Sequence, residues 1–243
     1  MNRKNILITG ASRGIGRACA FVFSQAGYHV FLNCKKSLDE LETVRQELEA
    51  IGSSCTVVPG DVGNPHDVSQ IFDKIFKLCP GLDVLINNAG ISHIGLLQDM
   101  SDTQWEEILH TNLSSVFYCC RAAIPYMIRQ KQGKILNISS MWGTSGASCE
   151  AAYSATKAGM DGLTKALAKE LAPSNIQVNA ISCGVIDTHM NAQFSTEERL
   201  ALKEEIPAGR FGTPEEVASL AFSVCSGHPY LTGQIIGLDG GFL

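Results

Sequence analysis

Short apolar runs alternate along this chain with longer segments in which apolar residues recur every three or four positions. The runs predict strands, and the longer segments predict amphipathic helices. Strands are expected at 5–9, 29–33, 55–58, 82–86, 133–138, 177–181 and 233–238, and helices at 14–27, 38–51, 65–78, 103–131, 151–171 and from 214 onward. This alternation favours an α/β fold with a parallel sheet and right-handed crossovers. Because no linker, repeat or low-complexity tract interrupts the pattern, residues 1–243 are predicted to form one domain.

Particular residues set the expected ends of several helices. Ser37 is a predicted N-cap for the second helix, and Thr213 is a predicted N-cap for the last. The stretch 103–131 is expected to break near 106–111 and again at Pro125, because proline has no N–H for the helical hydrogen bond.

Composition narrows the class of protein. Apolar residues make up 45% of the 243 positions and charged residues 18%, which is ordinary for a globular protein with a large core. The net charge of −5 argues against a nucleic-acid partner, and no run of 18 apolar residues predicts a membrane span. The N-terminus has basic residues but no apolar stretch typical of a signal peptide, so a cytoplasmic protein is expected.

The nine cysteines and six histidines form no ligand pattern. No CxxC pair occurs, and the histidines show no ligand-like spacing with the cysteines, so no metal site is predicted. Scattered cysteines in odd number are typical of reduced core thiols in a reducing compartment.

A glycine-rich turn follows the first predicted strand and leads into the first helix. In Gly10-Ala11-Ser12-Arg13-Gly14-Ile15-Gly16, glycines would let the backbone approach a pyrophosphate, and the helix N-terminus would supply N–H donors. The GxxxGxG spacing differs from the commoner GxGxxG fingerprint, and taken alone it fits a tight structural turn equally well. The strand, turn and helix in this order indicate a dinucleotide site.

The residues after the second strand bear on which dinucleotide is expected. An NAD-binding unit has an acidic side chain there, which accepts a hydrogen bond from the ribose 2′-hydroxyl. This chain has Cys34 at that place, followed by Lys35 and Lys36, while Arg13 lies in the glycine turn. Basic side chains without a carboxylate would attract a 2′-phosphate, so NADPH is the predicted cofactor. Lys35 and Lys36 could alternatively be solvated loop charges.

Polar residues from several strands are expected to meet at one edge of the sheet. In open parallel sheets ligands bind beyond the carboxyl ends of the strands. That places the glycine turn, Asp61, Asn87-Asn88-Ala89-Gly90 and Ser140 along one rim. Residues 187–211 are less regular, with one helical piece near 196–205, and form the predicted substrate lid.

Tyr153 and Lys157 are four residues apart in the helix predicted at 151–171, so they share one face. A neighbouring ammonium favours phenolate and would lower the tyrosine pKa from its usual value of ~10. Such a phenol can protonate a carbonyl oxygen while hydride arrives at its carbon. Alone, the YxxxK spacing also fits an amphipathic helix with a buried tyrosine and a lysine whose stem packs beside it.

In their order and separation, these motifs resemble the short-chain dehydrogenase/reductase family over nearly the whole chain. The residues that carry the resemblance are Thr9-Gly10, Gly14, Gly16, Asn87-Asn88-Ala89-Gly90, Asn112, Ser140, Tyr153, Lys157 and the Asp239-Gly240-Gly241 ending. The resemblance implies a single Rossmann-type, doubly wound domain with a seven-stranded parallel sheet and helices on both faces.

The resemblance also implies roles for individual residues. Ser140 would hydrogen-bond the substrate carbonyl, and Tyr153 would donate the proton. Lys157 would lower the tyrosine pKa and hold the nicotinamide ribose, while Asn112 would hold a water in a proton relay. The NADP(H)-binding residues would be Gly10, Ser12, Arg13, Gly14, Ile15, Gly16, Cys34, Lys35, Asp61, Val62, Asn88, Ala89, Gly90, Tyr153, Lys157, Ile186 and Thr188.

One position departs from the family pattern. Family members usually have Pro-Gly after the sixth strand, where this chain has Cys183-Gly184. Loss of the proline is expected to add backbone freedom near Ile186 and Thr188, which would fix the nicotinamide carboxamide. Cys183 is also a candidate nucleophile, though the tyrosine and lysine make that role unnecessary.

Three substrate classes remain open within the family. Overall length, the glycine turn and the segment 209–214 look most like 3-oxoacyl-[acyl-carrier-protein] reductases of fatty acid biosynthesis, with Arg129 and Lys131 as a carrier-protein docking patch. The second basic docking position appears here as Ser174, which weakens that interpretation. The run 141–150 also resembles reductases of a 5-aminopentanone group on elongation factor P, where Glu150 could pair with an ammonium. Sugar or steroid dehydrogenases are the third class.

A non-catalytic nucleotide-sensing protein on the same scaffold is the alternative of another class. The intact Ser140, Tyr153, Lys157 and Asn112 set argues against it, because a sensor needs only the glycine turn. The helices at 103–131 and 151–171 carry apolar residues on more than one face, and by resemblance they would pair across subunits in a homodimer or homotetramer. These apolar residues include Val116, Phe117, Ile124, Met127, Met160, Leu163 and Leu167.

Overall fold

At the centre of the computed structural model, which describes residues 3–192 and 194–243, is one parallel sheet. Its strands are β1 Asn5–Ile8, β2 His29–Leu32, β3 Cys55–Val57, β4 Val84–Asn87, β5 Gly133–Ser140, β6 Ile176–Cys183 and β7 Ile235–Leu238. The strands lie in the order β3-β2-β1-β4-β5-β6-β7, and every neighbouring pair is parallel. The α/β architecture with a seven-stranded parallel sheet is therefore confirmed.

Helices cover both faces of the sheet. They are α1 Gly14–Gln25, α2 Leu38–Ala50, α3 Pro65–Leu78, α4 Asp102–Leu109, α5 Ser115–Gln130, α6 Trp142–Ser145, α7 Ala151–Leu171, α8 Thr196–Glu205 and α9 Pro214–Ser226. Helices α1, α2 and α9 bury their apolar sides in one core cluster, and α3, α5 and α7 bury theirs in a second. The two layers explain why the strands read as nearly continuous apolar runs, since both sheet faces are covered.

Successive residues of β1 illustrate this packing. Ile6 and Ile8 belong to the cluster under α1 and α9, whereas Leu7 belongs to the cluster under α3 and α5. All three side chains are fully buried. The strand order reverses at β1 and β4, which lie side by side: β2 and β3 are added on one side of β1, and β4 to β7 on the other. In open α/β sheets the crevice at such a switch point binds ligands.

The fifth and sixth strands are two residues longer at their carboxyl ends than the apolar pattern predicts. Strand β5 continues through Ser139 and Ser140, and β6 continues through Ser182 and Cys183. The two extensions pair with each other, so Ser140 faces Cys183 across the ladder. The apolar pattern did not predict these extensions, because it stops where the polar residues begin.

The helical stretch after β4 differs from its prediction in two ways. Pro125 lies inside α5 without ending it, which corrects the expected break. The proline is exposed, so the carbonyl of Arg121 that it leaves unpaired can be solvated. Between α4 and α5 the chain stays helical but widens into a π segment, His110–Ser114, where the Ser115 N–H donates to the His110 carbonyl.

Predicted helix caps have mixed outcomes. Thr213 caps α9 in a capping box, in which its hydroxyl accepts from the Glu216 N–H at 3.2 Å and its own N–H donates to the Glu216 carboxylate at 2.8 Å. Ser37 makes no side-chain hydrogen bond to α2, so that prediction is wrong. Ser37 has φ −84° and ψ 61°, outside the extended conformation of N-cap residues. Across 3–192 and 194–243, no helix has the length and apolar character needed to span a bilayer.

Candidate active site

A cavity of about 630 Å³ lies above the carboxyl ends of the strands. Most of the residues expected to bind cofactor or substrate line it. These are Gly10, Ser12, Arg13, Gly14, Ile15, Cys34, Lys35, Asp61, Val62, Asn88, Ala89, Gly90, Ser140, Tyr153, Lys157, Ile186 and Thr188. Gly16 and Asn112 are not in the lining, and each supports residues that are.

Close backbone packing defines the glycine turn. Gly10 and Gly14 have φ of +65° and +54°, a left-handed conformation that favours glycine. Gly16 lies directly against the Gly10 carbonyl, and a Cβ on Gly16 would also lie 2.6 Å from the Asn88 amide nitrogen. The third glycine therefore acts by letting α1 approach the turn.

Asn88 and Thr9 join the glycine turn to the end of β4. The Asn88 side-chain amide donates to the carbonyls of Thr9 and Gly10 at 2.9 and 3.0 Å. In return, the Thr9 hydroxyl accepts from the backbone N–H groups of Asn88 and Ala89 at 2.9 and 3.0 Å. Side-chain hydrogen bonds thus hold together the glycine turn and residues 88–89 at the switch point, which we call the nucleotide cradle.

The N-terminus of α1 points its donors at this cradle. Its N-cap residue, Arg13, makes no side-chain capping hydrogen bond, whereas Asn64, Ser101, Ser195 and Thr213 cap their helices with side chains. First-turn N–H groups have no partner within their own helix. Those of α1 are therefore suited to an anionic ligand, as in nucleotide-binding folds.

The end of the cavity where the sequence predicts the adenosine of the cofactor, here called the adenosine end, contains two ion pairs. Lys35 Nζ lies 2.6 Å from Asp61 Oδ2, and Arg13 Nη1 lies 3.3 Å from Glu40 Oε1. Cys34, which precedes Lys35 in the chain, is buried, and burial raises the pKa of its thiol. Two of the three basic side chains expected to favour a 2′-phosphate are therefore paired with carboxylates.

Asn33, which the sequence analysis treated only as the end of a strand, shapes the same end of the cavity. Its buried side-chain amide donates to the carbonyls of Val58 and Gly60 at 2.9 and 3.1 Å. Its backbone carbonyl accepts from the Ala11 N–H at 2.8 Å. A polar residue closing an apolar strand was the signal in the sequence that could have identified it.

Ser140, Tyr153 and Lys157 meet at the other end of the cavity. Ser140 ends β5, and its hydroxyl accepts from the Trp142 N–H at 3.2 Å. Tyr153 and Lys157 project from the first turns of α7 with 9% and 4% of their surface exposed. The Lys157 amine lies 5.5 Å from the Tyr153 ring centroid and donates to the Ile138 carbonyl at 2.8 Å.

The tyrosine pKa differs from the sequence prediction. Burial raises the pKa of Tyr153 above its ordinary value, and a hydrogen bond with the Ser140 hydroxyl only partly opposes this. Burial also lowers the pKa of Lys157 to about 8. The predicted lowering of the phenol pKa by Lys157 is therefore wrong: removal from water disfavours phenolate, and the group that lowers the pKa of Tyr153 is Ser140.

Asn112 lies in the π segment and is fully buried. Its side-chain oxygen accepts from the Ile91 N–H at 2.8 Å, and its side-chain nitrogen donates to the Ile91 carbonyl at 2.8 Å and to Thr156 at 3.3 Å. Ile91 itself lines the cavity, so the Asn112 side chain holds the loop after β4 against α7. The proton-relay role stays a prediction.

Cys183 is firmly held where the family usually has proline. It pairs with Ser140 on one side and Leu238 on the other, and its carbonyl accepts from the Met141 N–H at 2.9 Å. The expected backbone freedom is therefore absent. Burial raises the pKa of the thiol to about 12, so Cys183 is a protonated thiol and a poor nucleophile at neutral pH.

The segment predicted to be a substrate lid contributes residues to the cavity lining, and its role as a lid stays a prediction. Phe194, Ala201 and Leu202 of this segment line the cavity. Arg199 on α8 ties the lid to its base, donating to Asp187 Oδ1 at 2.8 Å and to the Asn191 carbonyl at 3.3 Å. Residue 193, within the predicted lid, lies outside the described residues.

Two kinds of sequence comparison agree on the family. A model of short chain dehydrogenases matches residues 4–199. The 3-oxoacyl-[acyl-carrier-protein] reductase FabG of Staphylococcus aureus is 39% identical over 239 residues, 98% of this chain and 97% of that protein. FabG of Aquifex aeolicus is 41% identical over 237 residues, 97% and 95% of the two chains. This chain belongs to the short-chain dehydrogenase family, as its motifs predicted.

Solved structures extend the comparison to the fold. A structure described as a gluconate dehydrogenase from Agrobacterium tumefaciens superposes with a TM-score of 0.94 at 33% identity, covering 98% of this chain and 95% of its own. YwfH, an NADPH-dependent reductase involved in bacilysin biosynthesis, gives a TM-score of 0.94 at 28% identity, with 100% and 99% covered. The protein is thus an oxidoreductase of ketone or alcohol groups that uses a nicotinamide cofactor.

Proposed function

We propose that this chain is an NADPH-dependent carbonyl reductase of the 3-oxoacyl-[acyl-carrier-protein] reductase type, with Tyr153 as proton donor. The observation that carries the proposal is the convergence of Ser140, Tyr153 and Lys157 in the cavity that continues to the glycine turn. Similarity to FabG over nearly the full length supports the same reaction class. The free thiols, nine in the described residues, support a reducing compartment such as the cytoplasm.

The residues present fit a nicotinamide dinucleotide. The close approach of Gly10 and Gly16 leaves room for a pyrophosphate at the uncapped α1 terminus, and Asp61 with Val62 would flank the adenine. Ile186 and Thr188 line the cavity where they would hold the carboxamide. When bound, the reduced cofactor supplies a hydride to the carbonyl carbon.

Proton delivery falls to Tyr153. Because burial raises its pKa, the phenol is protonated at neutral pH and can donate to an alkoxide oxygen as that oxygen gains charge. Ser140, whose hydroxyl is hydrogen-bonded to Tyr153, would hydrogen-bond the same oxygen, orient the carbonyl and stabilise the developing negative charge. Protonated Lys157 would then stabilise the tyrosinate that remains after transfer.

The basic side chains at the adenosine end support NADPH as the cofactor. Arg13, Lys35 and Lys36 all line that end, but Glu40 and Asp61 compete for two of them. Exposed ion pairs contribute only ~0.2–1 kcal/mol, so a doubly charged phosphate can displace them.

The cofactor preference has a matched test. In Glu40→Gln, Arg13 loses its partner and a negative charge disappears, so NADPH should bind roughly two- to fivefold more tightly while NADH affinity changes little. Glu47→Gln, which breaks the similar Arg17–Glu47 pair, is the control. Tighter binding of NADH than NADPH by the parent protein would refute the preference.

The favoured substrate is a carrier-bound 3-oxoacyl thioester. Apolar lining residues, including Ile94, Met141, Trp142 and Leu202, suit an acyl chain. Arg129 and Lys131 are exposed at the end of α5 and would dock an acidic carrier protein. Reversing both charges should raise KM for the carrier-bound substrate and leave KM for a small thioester unchanged.

A specific observation favours the second candidate, a 5-aminopentanone group on elongation factor P. Glu150, Glu198 and Glu205 line the cavity on the side of α7 and the lid, whereas the lining arginine and lysines other than Lys157 come from the loops after β1 and β2. Burial raises the pKa of Glu150, and an ammonium partner would compensate that loss of solvation. Glu150→Gln should then raise KM for an amine-bearing ketone and spare a neutral ketone of equal length.

The central experiment is a screen of NADPH consumption with acyl thioesters, modified elongation factor P and simple ketones. Tyr153→Phe should lower kcat at least ~100-fold, because general acid catalysis contributes about 10²–10⁴, while nucleotide binding is retained. Equal turnover in Tyr153→Phe would exclude the proton-donor role. A parent protein that binds NADPH but reduces none of the carbonyls would favour the nucleotide-sensing alternative.

A further inference from the structure

A buried acid that the proton chemistry does not use lies one helical turn beyond Lys157. Asp161 is four residues further along α7, so it projects from the same helical face. It is 7% exposed, in a helix whose outer face is solvated. Carboxylates are rarely buried without partners, so its position needs an explanation.

The surroundings of Asp161 leave part of its charge uncompensated. Its Oδ1 atom is buried with no hydrogen-bond partner among the described residues, and so is the hydroxyl of Ser139 on β5. Gly143 on α6 packs so closely that a Cβ there would lie 3.0 Å from Asp161 Oδ2. Buried unsatisfied polar atoms are uncommon in native proteins, and each one indicates a specific role or a buried water.

Asp161 and Lys157 are linked through β5 as well as through α7. The Lys157 amine donates to the carbonyl of Ile138, the residue just before Ser139. Burial raises the pKa of Asp161, while the nearby Ser139 hydroxyl, which lies outside hydrogen-bond geometry, and the charges of Lys165 and Lys157 oppose the rise. The positive charge of Lys157 therefore favours the ionised form of Asp161, and the same interaction favours the protonated form of Lys157.

Other groups facing Lys157 are neutral at physiological pH. They are Tyr153 from α7 and Cys183 from β6, and burial holds the phenol and the thiol in their protonated forms. Asp161 is a carboxylate that raises the pKa of Lys157. Lys165, on the other side of Asp161, is exposed to solvent.

We propose that Asp161 is a positioning residue whose carboxylate keeps the buried Lys157 amine protonated and directed at the Ile138 carbonyl. Burial alone would drive the amine towards its neutral form, which could not stabilise tyrosinate. A negative charge within a helical turn counteracts that tendency in a medium of low dielectric constant. The importance of a charged Lys157 for turnover rests on the proposed function, whereas the coupling of the two charges does not.

The test measures Lys157 ionisation by protein stability, independently of turnover. The pH at which the free energy of unfolding begins to rise with pH reports the folded-state pKa of Lys157, and subtracting the Lys157→Met curve isolates it. Asp161→Asn, which preserves shape, should move this point down by about one pH unit. Asp161→Glu, which preserves the charge, should return it towards the parent value.

A second variant keeps the inference falsifiable if Asp161→Asn does not fold. Lys165→Gln removes an exposed charge that partly neutralises Asp161, so the same point should move up by a few tenths of a pH unit. An unchanged point in both Asp161→Asn and Lys165→Gln would overturn the proposal. With an active parent, the alkaline limb of kcat/KM should shift in parallel. A stability shift in a protein that reduces no ketone would support the coupling and count against the reductase function.

Discussion

At the scale of single residues, the chemistry depends on removal from water more than on a simple pairing of charges. The four-residue spacing of Tyr153 and Lys157 correctly placed both in the candidate site, but it does not report how deeply each is buried. Burial then shifts the two pKa values in the directions that favour the neutral phenol and the neutral amine. Such shifts depend on packing from distant strands, so spacing along one helix could not predict them.

The lowered pKa of Lys157 predicts a pH-dependent stability. Its folded-state pKa is about 8, below the ordinary value of ~10.4, so between these values the unfolded chain binds a proton that the folded chain does not. Stability should therefore rise with pH across this window, by at most about 1.4 kcal/mol per pH unit from this group. Lys157→Met should be relatively more stable at pH 7 than at pH 10.

Urea unfolding at intervals from pH 7 to pH 10 measures this difference. Lys169→Met, which removes an exposed amine from the same helix, is the matched control. Parallel stability curves for the parent and Lys157→Met would show that the amine is not desolvated.

At the scale of secondary-structure elements, long periodic segments were predictable and their ends were not. Helix α3 begins and ends as predicted at 65 and 78, because a proline start and a clear apolar stripe define it. Strands β5 and β6 extend past their apolar runs because pairing between them, a long-range interaction, continues through Ser139, Ser140 and Cys183. The π segment around Asn112 has no periodic signature, so sequence indicated only an interruption nearby.

The two predicted helix caps give a paired test at this scale. Thr213→Ala removes the capping hydrogen bond of α9 and should cost about 1 kcal/mol, which lowers Tm by roughly 2–4 °C for a protein of this size. Ser37→Ala removes no capping bond and should leave Tm nearly unchanged. Calorimetry of the two variants measures the difference. Equal losses of Tm would mean that the hydroxyl of Thr213 contributes little as a cap.

At the scale of the whole molecule, the seven-stranded parallel sheet could be inferred from alternation and resemblance, but the cavity could not be inferred in detail. The rim residues follow from the rule that parallel strands present their carboxyl ends together. Asn33 and the Asn88–Thr9 hydrogen bonds depend on which loops meet in space, which a linear pattern does not contain. The ion pairs of Arg13 and Lys35 arise for the same reason.

Self-association of this protein remains a prediction, and fewer of the expected interface residues are exposed than the sequence suggested. Val116, Met127 and Met160, proposed as interface residues, are buried in the core of this chain. Phe117 and Ile128 on α5 are 46% and 43% exposed, and burial of such side chains usually favours association.

Phe117→Glu should therefore reduce the mass measured by light scattering at micromolar concentration, from dimer or tetramer towards monomer. Ile51→Glu changes a similarly exposed residue just after α2, on the opposite face of the sheet, and should leave the mass unchanged. A monomeric parent protein would contradict the prediction.

The position of β7 near the end of the chain has a consequence for the stability of the cavity wall. Within the described residues, β7 pairs with β6 alone, and its Leu238 carbonyl accepts from the Gly184 N–H at the edge of the cavity. Gly184 and its neighbour Cys183 line the cavity, so the last strand supports a wall whose lining residues come from an earlier strand. Shortening the chain before β7 would therefore expose one side of β6 and remove a support of that wall, although the residues of β7 are not among those that line the cavity.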